Sequence, residues 1–411
     1  MDKRIYLCLA HMSGKEQDFI REAFDTNWVV PLGPNVNAFE EELKHFVGQN
    51  KEVVALSAGT AAIHLGLIQL GVSTGDEVIC QSFTFCASAN PVAYQGATPV
   101  FIDSEEDTWN MDPALLEEAI KDRIAKTGKK PKAILPVHLY GMPARIDEIC
   151  AIASKYDIPV LEDAAEALGS EFKGQKCGTF GTFGVLSFNG NKMITTSGGG
   201  ALIVPDEAAK KQTMFYATQA REPFPHYQHE KIGYNYRMSN VIAGVIRDQY
   251  DHLADHIAQK KAIYERYKEG LKDLPVKMNP FDEVKAEPNY WLSSLLIDEE
   301  AMCRQVRSET EALYVPESGK SCPTEILDAI SNINAEGRPI WKPMHMQPMY
   351  RMHEFITIHG SGRAKTNAYI AGGIKDVGAD IFQRGVCLPS DNKMTVEQQE
   401  RIIEVIKACF E

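Results

Sequence analysis

This sequence lacks an excess of basic side chains and has no long apolar runs. Its 411 residues carry 43 Lys or Arg and 56 Asp or Glu side chains, which gives a formal net charge of −13. Nucleic-acid-binding proteins need basic surfaces that replace the counterions on phosphate, so we expect no nucleic-acid partner. No apolar run approaches the roughly 18 residues of a membrane span. The apolar stretch near the amino terminus ends at His11, which makes it shorter than the core of a signal peptide. We therefore expect a soluble, cytoplasmic protein.

Cysteine pairs and metal-binding motifs are also missing. The nine cysteines lie singly along the chain, without a C-x-x-C pair or the spacing of a zinc finger, and reduced thiols fit this pattern. The acidic run 103–112 lacks the glycine and the final glutamate of an EF-hand. His252 and His256 are not part of an H-E-x-x-H motif. The sequence thus predicts no metal site.

A regular alternation of strand and helix patterns is present between residues 50 and 205. Most of the apolar runs are continuous and β-branched, which is typical of strands buried on both faces of a largely parallel sheet. The candidate strands are 53–56, 77–80, 99–102, 133–137, 158–161, 185–188 and 201–204. The candidate helices between them are 60–70, 87–94, 113–125 and 145–155. The alternation predicts an α/β fold with ligand sites at the carboxyl ends of the strands.

The patterns are less regular outside this block. Asn37 begins a helical pattern with acidic residues in its first turn, and a long helical segment is predicted from about Ser239 to Leu271. The chain is too long for one ordinary core. We predict a large α/β domain over residues 1–245 and a smaller α+β domain over residues 246–411.

Acidic residues follow the predicted strand 158–161. Asp163 and Glu166 stand in the run Leu161-Glu-Asp-Ala-Ala-Glu. An Asp in such a position is often only a helix cap. The alternative is a buried carboxylate that keeps a pyridine nitrogen protonated, which pyridoxal phosphate (PLP) requires because its protonated ring is an electron sink. Glu166, one helical turn further on, would reach the same ring.

Lys192 follows another predicted strand, in the run Ser187-Phe-Asn-Gly-Asn-Lys. A lone lysine after a strand is commonly a solvated surface residue. Here Gly190 and the run 198–200 allow the backbone to approach a ligand closely, although the glycines also suit a tight return into strand 201–204. A lysine that forms a Schiff base must present a neutral amine, and partial burial beside polar groups favours this. Ser187 would then offer its hydroxyl to the cofactor phosphate.

A third strand end leads through Gly59 and Thr60 into a helix. The first N–H groups and the positive dipole end of a helix attract phosphate, but helix capping alone would also explain these two residues. The run matches neither the P-loop motif nor G-x-G-x-x-G, so ATP and NAD are not indicated. The order of the three signals along the chain is more specific than any one of them.

With these residues in this order, the sequence resembles the DegT/StrS-type sugar aminotransferases, which have the fold of aspartate aminotransferase (PLP fold type I). The resemblance extends over nearly the whole chain. Its most specific stretches are 57–64, 96–103, 162–169, 187–200 and 233–239. It implies PLP as cofactor, and a large domain with a mostly parallel mixed sheet between helices, followed by a smaller α+β domain.

The resemblance also implies a role for each matching residue around the cofactor. Lys192 would form the Schiff base and carry the proton during transamination. Asp163 would pair with the pyridinium nitrogen, and Glu166 would lie near the ring hydroxyl. The remaining contacts would be to the phosphate, from Gly59, Thr60 and Ser187, and to the face of the ring, from Phe85.

A homodimer with shared active sites is implied as well, because Asn235 would reach the phosphate of the cofactor in the neighbouring subunit. His345, flanked by Pro343 and Pro348, is either a substrate contact or a structural loop residue. The predicted substrate contacts are Trp28, Asn189, Tyr236, Arg237 and His345.

Two stretches, 187–192 and 338–348, are most similar to the 4-aminotransferases of bacillosamine-type sugar synthesis. Those enzymes act on a UDP-linked 4-keto-6-deoxy-N-acetylhexosamine with glutamate as amino donor, which implies a place in polysaccharide biosynthesis. Two features depart from the family pattern. Many relatives have His or Gln in place of Glu166, and the segment 350–379 is longer than usual.

Two other functions fit parts of the pattern. A PLP- or PMP-dependent sugar dehydratase shares the scaffold, but such relatives carry His in place of the Schiff-base lysine, so Lys192 argues against it. A PLP-binding regulator without catalysis would need a DNA-binding module, and neither a basic arm nor a helix-turn-helix pattern occurs. We therefore expect an enzyme, a PLP-dependent aminotransferase that acts on a nucleotide-linked keto sugar.

Overall fold

The computed structural model describes residues 3–48, 50–308, 310–358, 360–362 and 376–411, so part of the long segment 350–379 lies outside the described residues. The helices are α1 (Glu16–Asp25), α2 (Pro34–Val47), α3 (Gly59–Gln69), α4 (Cys86–Tyr94), α5 (Pro113–Thr127), α6 (Ile146–Lys155), α7 (Glu207–Ala217), α8 (Asn240–Asp251), α9 (Leu253–Gly270), α10 (Pro323–Asn332), α11 (Val377–Arg384) and α12 (Val396–Ala408). The strands are β1 (Glu52–Leu56), β2 (Glu77–Gln81), β3 (Thr98–Ile102), β4 (Ala133–Leu135), β5 (Leu161–Asp163), β6 (Glu171–Phe172), β7 (Gln175–Lys176), β8 (Phe183–Ser187), β9 (Gly200–Val204), β10 (Val276–Met278), β11 (Ala286–Glu287), β12 (Ser294–Ile297), β13 (Gln305–Arg307), β14 (Ala312–Tyr314), β15 (Arg338–Pro339), β16 (Phe355–Thr357), β17 (Gly360–Gly362) and β18 (Gly385–Cys387).

Most of the apolar runs predicted as strands form one large mixed sheet. Two hydrogen-bonded groups, in the orders β17-β16-β3-β2-β4 and β1-β9-β8-β5, are joined by parallel bridges from Ile134 to Val160 and from Val137 to Asp163. The pairs β2–β3, β2–β4, β5–β8 and β16–β3 are parallel. Strand β9 is antiparallel to both of its neighbours. The predicted α/β fold with a mostly parallel mixed sheet is confirmed.

Helix α3 is apolar on all sides, and such helices are buried. Eight of its 11 residues are buried. The helix packs on β5, β8 and β9, and a glycine at position 66 permits a close approach, because a Cβ on Gly66 would lie 2.9 Å from Cδ1 of Leu161. This packing fixes the amino end of α3 beside the carboxyl end of β8.

The second half of the chain contributes to two sheets. The antiparallel sheet β10-β12-β18-β15 shares an apolar core with α10 and α12, which includes Ile326, Leu388 and Ile402. Strand β16 instead pairs in parallel with β3 of the large sheet. The division at residue 245 stays a prediction about independent folding units, and β16 crosses it.

Several element boundaries differ from the sequence predictions by one or a few residues, and the differences in α2, β5 and the segment 239–271 are the clearest. The long helical segment predicted over 239–271 consists of two helices, α8 and α9, with His252 between them. Helix α2 begins at Pro34 rather than Asn37, because Gly33, at φ 144°, turns the chain and proline is favoured in a first helical turn. The strand predicted at 158–161 begins at Leu161 and is followed by turns, so no helix begins after Asp163.

None of the helices in the described ranges combines the length and the apolar character that crossing a bilayer requires. All nine cysteines are free thiols. The described part of the chain holds no cluster of three or more His, Cys, Asp or Glu side chains with the geometry of a metal site.

Candidate active site

The loops that follow β1, β2, β4, β5 and β8 converge on one cavity of about 270 Å³. These strands run in the same direction, so their carboxyl ends meet at one edge of the sheet, where ligands bind in open α/β folds. The lining residues are Ala58, Gly59, Thr60, Ile63, Thr84, Phe85, Ala87, Ser88, Val137, Asp163, Ala165, Glu166, Ser187, Asn189, Asn191, Lys192, Gly198, Gly199, Trp291 and Trp341. Eight of the residues predicted from the sequence are among them: Gly59, Thr60, Phe85, Asp163, Glu166, Ser187, Asn189 and Lys192.

The amino end of α3 forms one end of this cavity. The N-cap residue is Ala58, which has no side chain that could accept from the first N–H groups of the helix. Ser187 borders the same end, and a Cβ on Gly59 would lie only 3.1 Å from the Cβ of Ser187. Glycine at position 59 therefore keeps open a pocket with helix N–H donors and a hydroxyl group, which is the donor set that a phosphate prefers.

Asp163 is buried in the cavity with both carboxylate oxygens engaged. Its Oδ2 accepts a 2.6 Å hydrogen bond from the Ser88 hydroxyl, and its Oδ1 accepts from the backbone N–H of Ala165 at 3.1 Å. Oγ of Ser88 also lies 2.7 Å from Oγ1 of Thr84. Because turns and not a helix follow Asp163, the helix-cap interpretation loses its structural basis. A buried carboxylate oriented by a hydroxyl group can instead accept a hydrogen bond from a protonated ring nitrogen.

Lys192 and Glu166 lie next to each other in the cavity. The Nζ atom of Lys192 is 3.4 Å from Oε1 of Glu166, and Oε2 of Glu166 accepts a 2.7 Å hydrogen bond from the backbone N–H of Tyr140. Burial raises the pKa of Glu166 to about 7, although the nearby Lys192 opposes that rise. The amine is largely shielded from solvent, as a Schiff-base lysine requires.

Aromatic side chains border the cavity beside this pair. Phe85 is 55% exposed, so its ring is free to contact a ligand, and its centre lies 5.5 Å from the centre of Trp341. Trp291 lies under the amine of Lys192, with 4.0 Å between Nζ and the ring centre. Flat apolar surfaces of this kind suit both an aromatic cofactor and the apolar face of a sugar.

Two of the predicted substrate residues are not brought to the cavity. Arg237 is buried, and its guanidinium pairs with the Glu40 carboxylate and donates to the carbonyl oxygen of Ala55. His345 is buried as well, with Nδ1 2.6 Å from Oγ of Ser82 and its ring stacked on Phe355 at 3.7 Å. Both residues hold elements of the fold together, because their polar atoms face protein groups rather than the cavity. For His345 this favours the structural interpretation.

Three other predicted residues also lie outside the cavity lining. The carbonyl oxygen of Trp28 accepts from the side chain of Asn240, and the hydroxyl of Tyr236 is 3.2 Å from Nδ1 of His64. Asn235 is exposed, with its side-chain oxygen 3.3 Å from Nε2 of Gln219. Asn235 is therefore accessible to a second subunit, and it does not contact the cavity of its own chain.

Ser88, Trp291 and Trp341 line the cavity but were not identified from the sequence. Ser88 stands one turn after Thr84, and its position at the start of α4 gave no distinctive signal. Tryptophan, in contrast, is a rare residue type in this chain, which contains only four. Two of the four line this cavity. Rare, large aromatic side chains in irregular segments are therefore candidates for a site.

The side chains of the cavity fit PLP as a group. A phosphate-type pocket, a buried carboxylate, a shielded lysine amine and an exposed aromatic ring are the partners of a phosphate, a ring nitrogen, an aldehyde and a ring face. All four are present in one cavity: Gly59, Thr60 and Ser187, then Asp163, Lys192 and Phe85.

Comparison with known proteins finds one family over nearly the whole chain. A model of the DegT/DnrJ/EryC1/StrS aminotransferase family matches residues 11–407. EpsN of Bacillus subtilis (strain 168), whose name describes a pyridoxal phosphate-dependent aminotransferase, is 46% identical over 411 residues, which cover 100% of this chain and 97% of EpsN. GDP-perosamine synthase of Escherichia coli O157:H7 is 33% identical over 401 residues, which cover 97% of this chain and 96% of the synthase.

A solved structure has the same architecture. The crystal structure of a DegT DnrJ EryC1 StrS aminotransferase from Brucella abortus superposes with a TM-score of 0.81 at 26% identity. The superposition covers 96% of this chain and 95% of the Brucella chain. The similarity therefore includes both halves of the chain.

Proposed function

The chain belongs to the DegT/DnrJ/EryC1/StrS aminotransferase family, and from this premise we propose that it transfers an amino group from glutamate to a UDP-linked 4-keto-6-deoxy-N-acetylhexosamine. Membership makes the chain a PLP-dependent sugar aminotransferase. The proposal adds the identity of the sugar, the nucleotide and the donor, and the role of each residue.

One observation carries the assignment of residues. A single cavity contains a shielded lysine amine, a buried carboxylate whose oxygens are oriented by Ser88 and Ala165, and the uncapped amino end of α3. These are the three groups that a PLP enzyme needs at its cofactor, and they come from loops far apart in the sequence.

PLP, when bound, supplies an electron sink that stabilises negative charge on the carbon attached to the transferred nitrogen. In our proposal Gly59, Thr60 and Ser187 hold its phosphate. Asp163 keeps the ring nitrogen protonated, and Glu166 lies near the ring hydroxyl. The exposed ring of Phe85 stacks on the cofactor and excludes water from one face.

Lys192 is the residue that we propose for the Schiff base and for proton transfer. Its Nζ lies between the carboxylate of Glu166, at 3.4 Å, and the ring of Trp291, at 4.0 Å. A positioned amine that gives and takes a proton at the reacting carbon accelerates such steps by roughly a hundredfold to ten-thousandfold. The same amine distinguishes an aminotransferase from the sugar dehydratases, in which histidine replaces it.

The choice of sugar rests on two stretches. Residues 187–192 and 338–348 resemble the 4-aminotransferases of bacillosamine-type synthesis, and the second stretch places Trp341 at the cavity. One relative is a GDP-perosamine synthase, so a GDP-linked sugar is the substrate against which a UDP-linked one must be tested. We also propose that the reaction takes place in the cytoplasm and serves polysaccharide biosynthesis, because nucleotide-linked sugars are the activated units of such polymers.

A homodimer with shared active sites is part of the proposal. Asn235 is exposed and does not line the cavity of its own chain. Two large apolar side chains in the same loop, Tyr227 and Ile232, are 76% and 82% exposed. Exposed apolar side chains of this size favour burial against another protein surface, and a second copy would bring Asn235 to the partner cavity.

The substrate can be tested with purified protein, PLP and glutamate. We expect a UDP-linked 4-keto-6-deoxy-N-acetyl sugar to be aminated with a kcat/KM at least about tenfold above that of GDP- and dTDP-linked keto sugars, a difference of about 1.4 kcal/mol. Product is detected by mass spectrometry and by release of 2-oxoglutarate, with Lys192→Ala as the inactive control. A preference for the GDP-linked sugar would refute the nucleotide, and no product from any keto sugar would refute the reaction.

A further inference from the structure

Trp291 makes two contacts with the segment that carries Lys192. The Nζ atom of Lys192 lies 4.0 Å from the centre of the Trp291 ring. The indole Nε1–H donates a 2.7 Å hydrogen bond to the carbonyl oxygen of Asn191. The residue is 1% exposed and lines the cavity. One side chain thus contacts both the amine and the backbone that precedes it.

Trp291 is itself fixed to the loop of Glu166. The side-chain amide of Asn289 donates to the carbonyl oxygens of Glu166 and Leu168 at 2.8 and 2.9 Å, while its Oδ1 accepts from the backbone N–H of Trp291 at 2.9 Å. Tyr290, between them, has φ 55°, which is uncommon outside glycine and persists where the surroundings hold it. The tryptophan therefore has a fixed position relative to the cavity.

The amine has two attractive partners, of which only one depends on pH. Burial raises the pKa of Glu166 to about 7, even though Lys192 nearby opposes the rise. Near neutral pH the carboxyl group is therefore negatively charged only part of the time. The negative face of an indole attracts an ammonium at any pH, and more strongly where water is excluded.

We propose that Trp291 is a positioning residue, which holds the amine of Lys192 beside Glu166 whenever that amine is protonated, and orients residues 187–192 through its indole N–H. The proposal rests on the function proposed above for Lys192. A lysine that shuttles protons is a free ammonium for part of each turnover. Holding it in place during that time keeps it directed into the cavity.

The test uses the full-length chain prepared without PLP, so that it measures the lysine and not turnover. Lys192 is labelled with a short pulse of an amine-selective ester over a range of pH, and the extent of labelling is read by peptide mass spectrometry. In Trp291→Leu we expect the midpoint of the labelling curve to move about one pH unit lower, because the ammonium loses its aromatic partner. In Trp291→Phe, which keeps an aromatic face, the midpoint should stay within about a third of that shift.

The indole N–H has its own readout. The backbone N–H of Lys192 donates a 2.9 Å hydrogen bond to the carbonyl oxygen of Asn189, and its hydrogen exchange reports on the opening of this loop. Exchange should be faster in both Trp291 variants, because each lacks the donor to Asn191. Trp341→Leu is the matched control, since Trp341 lines the same cavity but makes no cation–π contact with Lys192 among the described residues.

Greater access alone would raise labelling at every pH without moving the midpoint, so an unmoved midpoint in Trp291→Leu overturns the ammonium part of the proposal. Unchanged hydrogen exchange at Lys192 in Trp291→Phe overturns the part of the proposal that concerns the loop.

Lys260, 2% exposed, is the internal control for folding. If its labelling rises in Trp291→Leu, Trp291→Met takes the place of that variant, because methionine fills more of the volume. Since no substrate is present, a wrong sugar would leave these results unaffected, whereas a wrong lysine would be revealed by mapping the cofactor adduct.

Discussion

The hydroxyl of Ser88 donates a 2.6 Å hydrogen bond to Oδ2 of Asp163, and both residues are buried at the cavity. Ser88 belongs to α4, after β2, and Asp163 ends β5. Two separate elements therefore determine the orientation of one carboxylate. In the proposed function Asp163 keeps a ring nitrogen protonated and must point at that nitrogen, so the hydrogen bond from Ser88 would bear directly on the electron sink.

Asp163→Asn should lower kcat by about a hundredfold or more, because the amide preserves the shape but removes the charge opposite the ring nitrogen. Ser88→Ala should lower kcat by about tenfold, since the carboxylate keeps its charge but loses one orienting partner. Both are measured by steady-state kinetics with saturating PLP. Thr84→Val is the matched control for the hydroxyl chain, with a smaller effect than Ser88→Ala. Asp163→Asn with normal kcat and lower stability would favour a purely structural role for the residue.

Lys192 should be the sole lysine that borohydride links to PLP. Peptide mapping after reduction identifies the modified residue, and Lys260, which is also buried, is the internal comparison. Lys192→Ala should lose turnover by at least about a thousandfold while still binding PLP, because the phosphate pocket and Asp163 are unchanged. An adduct on another lysine would refute the assignment, as would a Lys192→Ala enzyme with near-normal activity.

A second buried carboxyl group should make stability depend on pH. Asp103 is 1% exposed, and its oxygens accept from the backbone N–H groups of Ser104, Val377 and Gly378. Burial, followed by the nearby Asp376, raises the pKa of Asp103 to about 7. The folded state thus binds this proton more tightly than the unfolded state, so the free energy of unfolding falls as pH rises from about 4 to about 7 and levels off above that.

Asp103→Asn should therefore flatten the fall in stability between about pH 4 and about pH 7, because the amide cannot ionise. Over this pH range, the free energy of unfolding of the wild type should fall by at most a few kcal/mol more than that of Asp103→Asn. Urea unfolding at several pH values measures it. Asp18→Asn is the control, because the Asp18 side chain is 74% exposed and should leave the wild-type profile unchanged. Parallel profiles for wild type and Asp103→Asn would contradict the prediction.

The predicted residues that the structure brings to one cavity are those whose signal is local. Gly59, Asp163 and Lys192 each stand just after a predicted strand, and parallel strands bring such positions to one edge of a sheet. Their order also matched a family pattern. Local sequence therefore predicted the fold class and the residues at the strand ends that line the cavity.

Two groups of residues depend on contacts between distant parts of the sequence. The first group lines the cavity but was not identified from the sequence, and the second was predicted at the cavity but lies elsewhere. The hydrogen bond from Trp291 to Asn191 spans 100 positions, and the pair of Arg237 with Glu40 spans 197. No local pattern indicates that a tryptophan in an irregular segment will reach the lysine loop. Nor does it indicate that a motif arginine will instead be buried in an ion pair. The residues predicted to contact the substrate were accordingly the ones that the structure brought to the cavity least often.

Sharing of sites between subunits should be visible in a mixture of two inactive proteins. Lys192→Ala removes the lysine, and Asn235→Asp places a negative charge where the partner cofactor phosphate would lie, which repels it. Each should be nearly inactive as a homodimer. After dissociation and random reassociation, half of the dimers are mixed, and each mixed dimer has one site with both residues intact, so roughly a quarter of wild-type activity should return. Subunit exchange is verified by native mass spectrometry of differently tagged chains. If Asn235 served its own subunit, every site would carry one lesion, and the exchanged mixture would stay inactive.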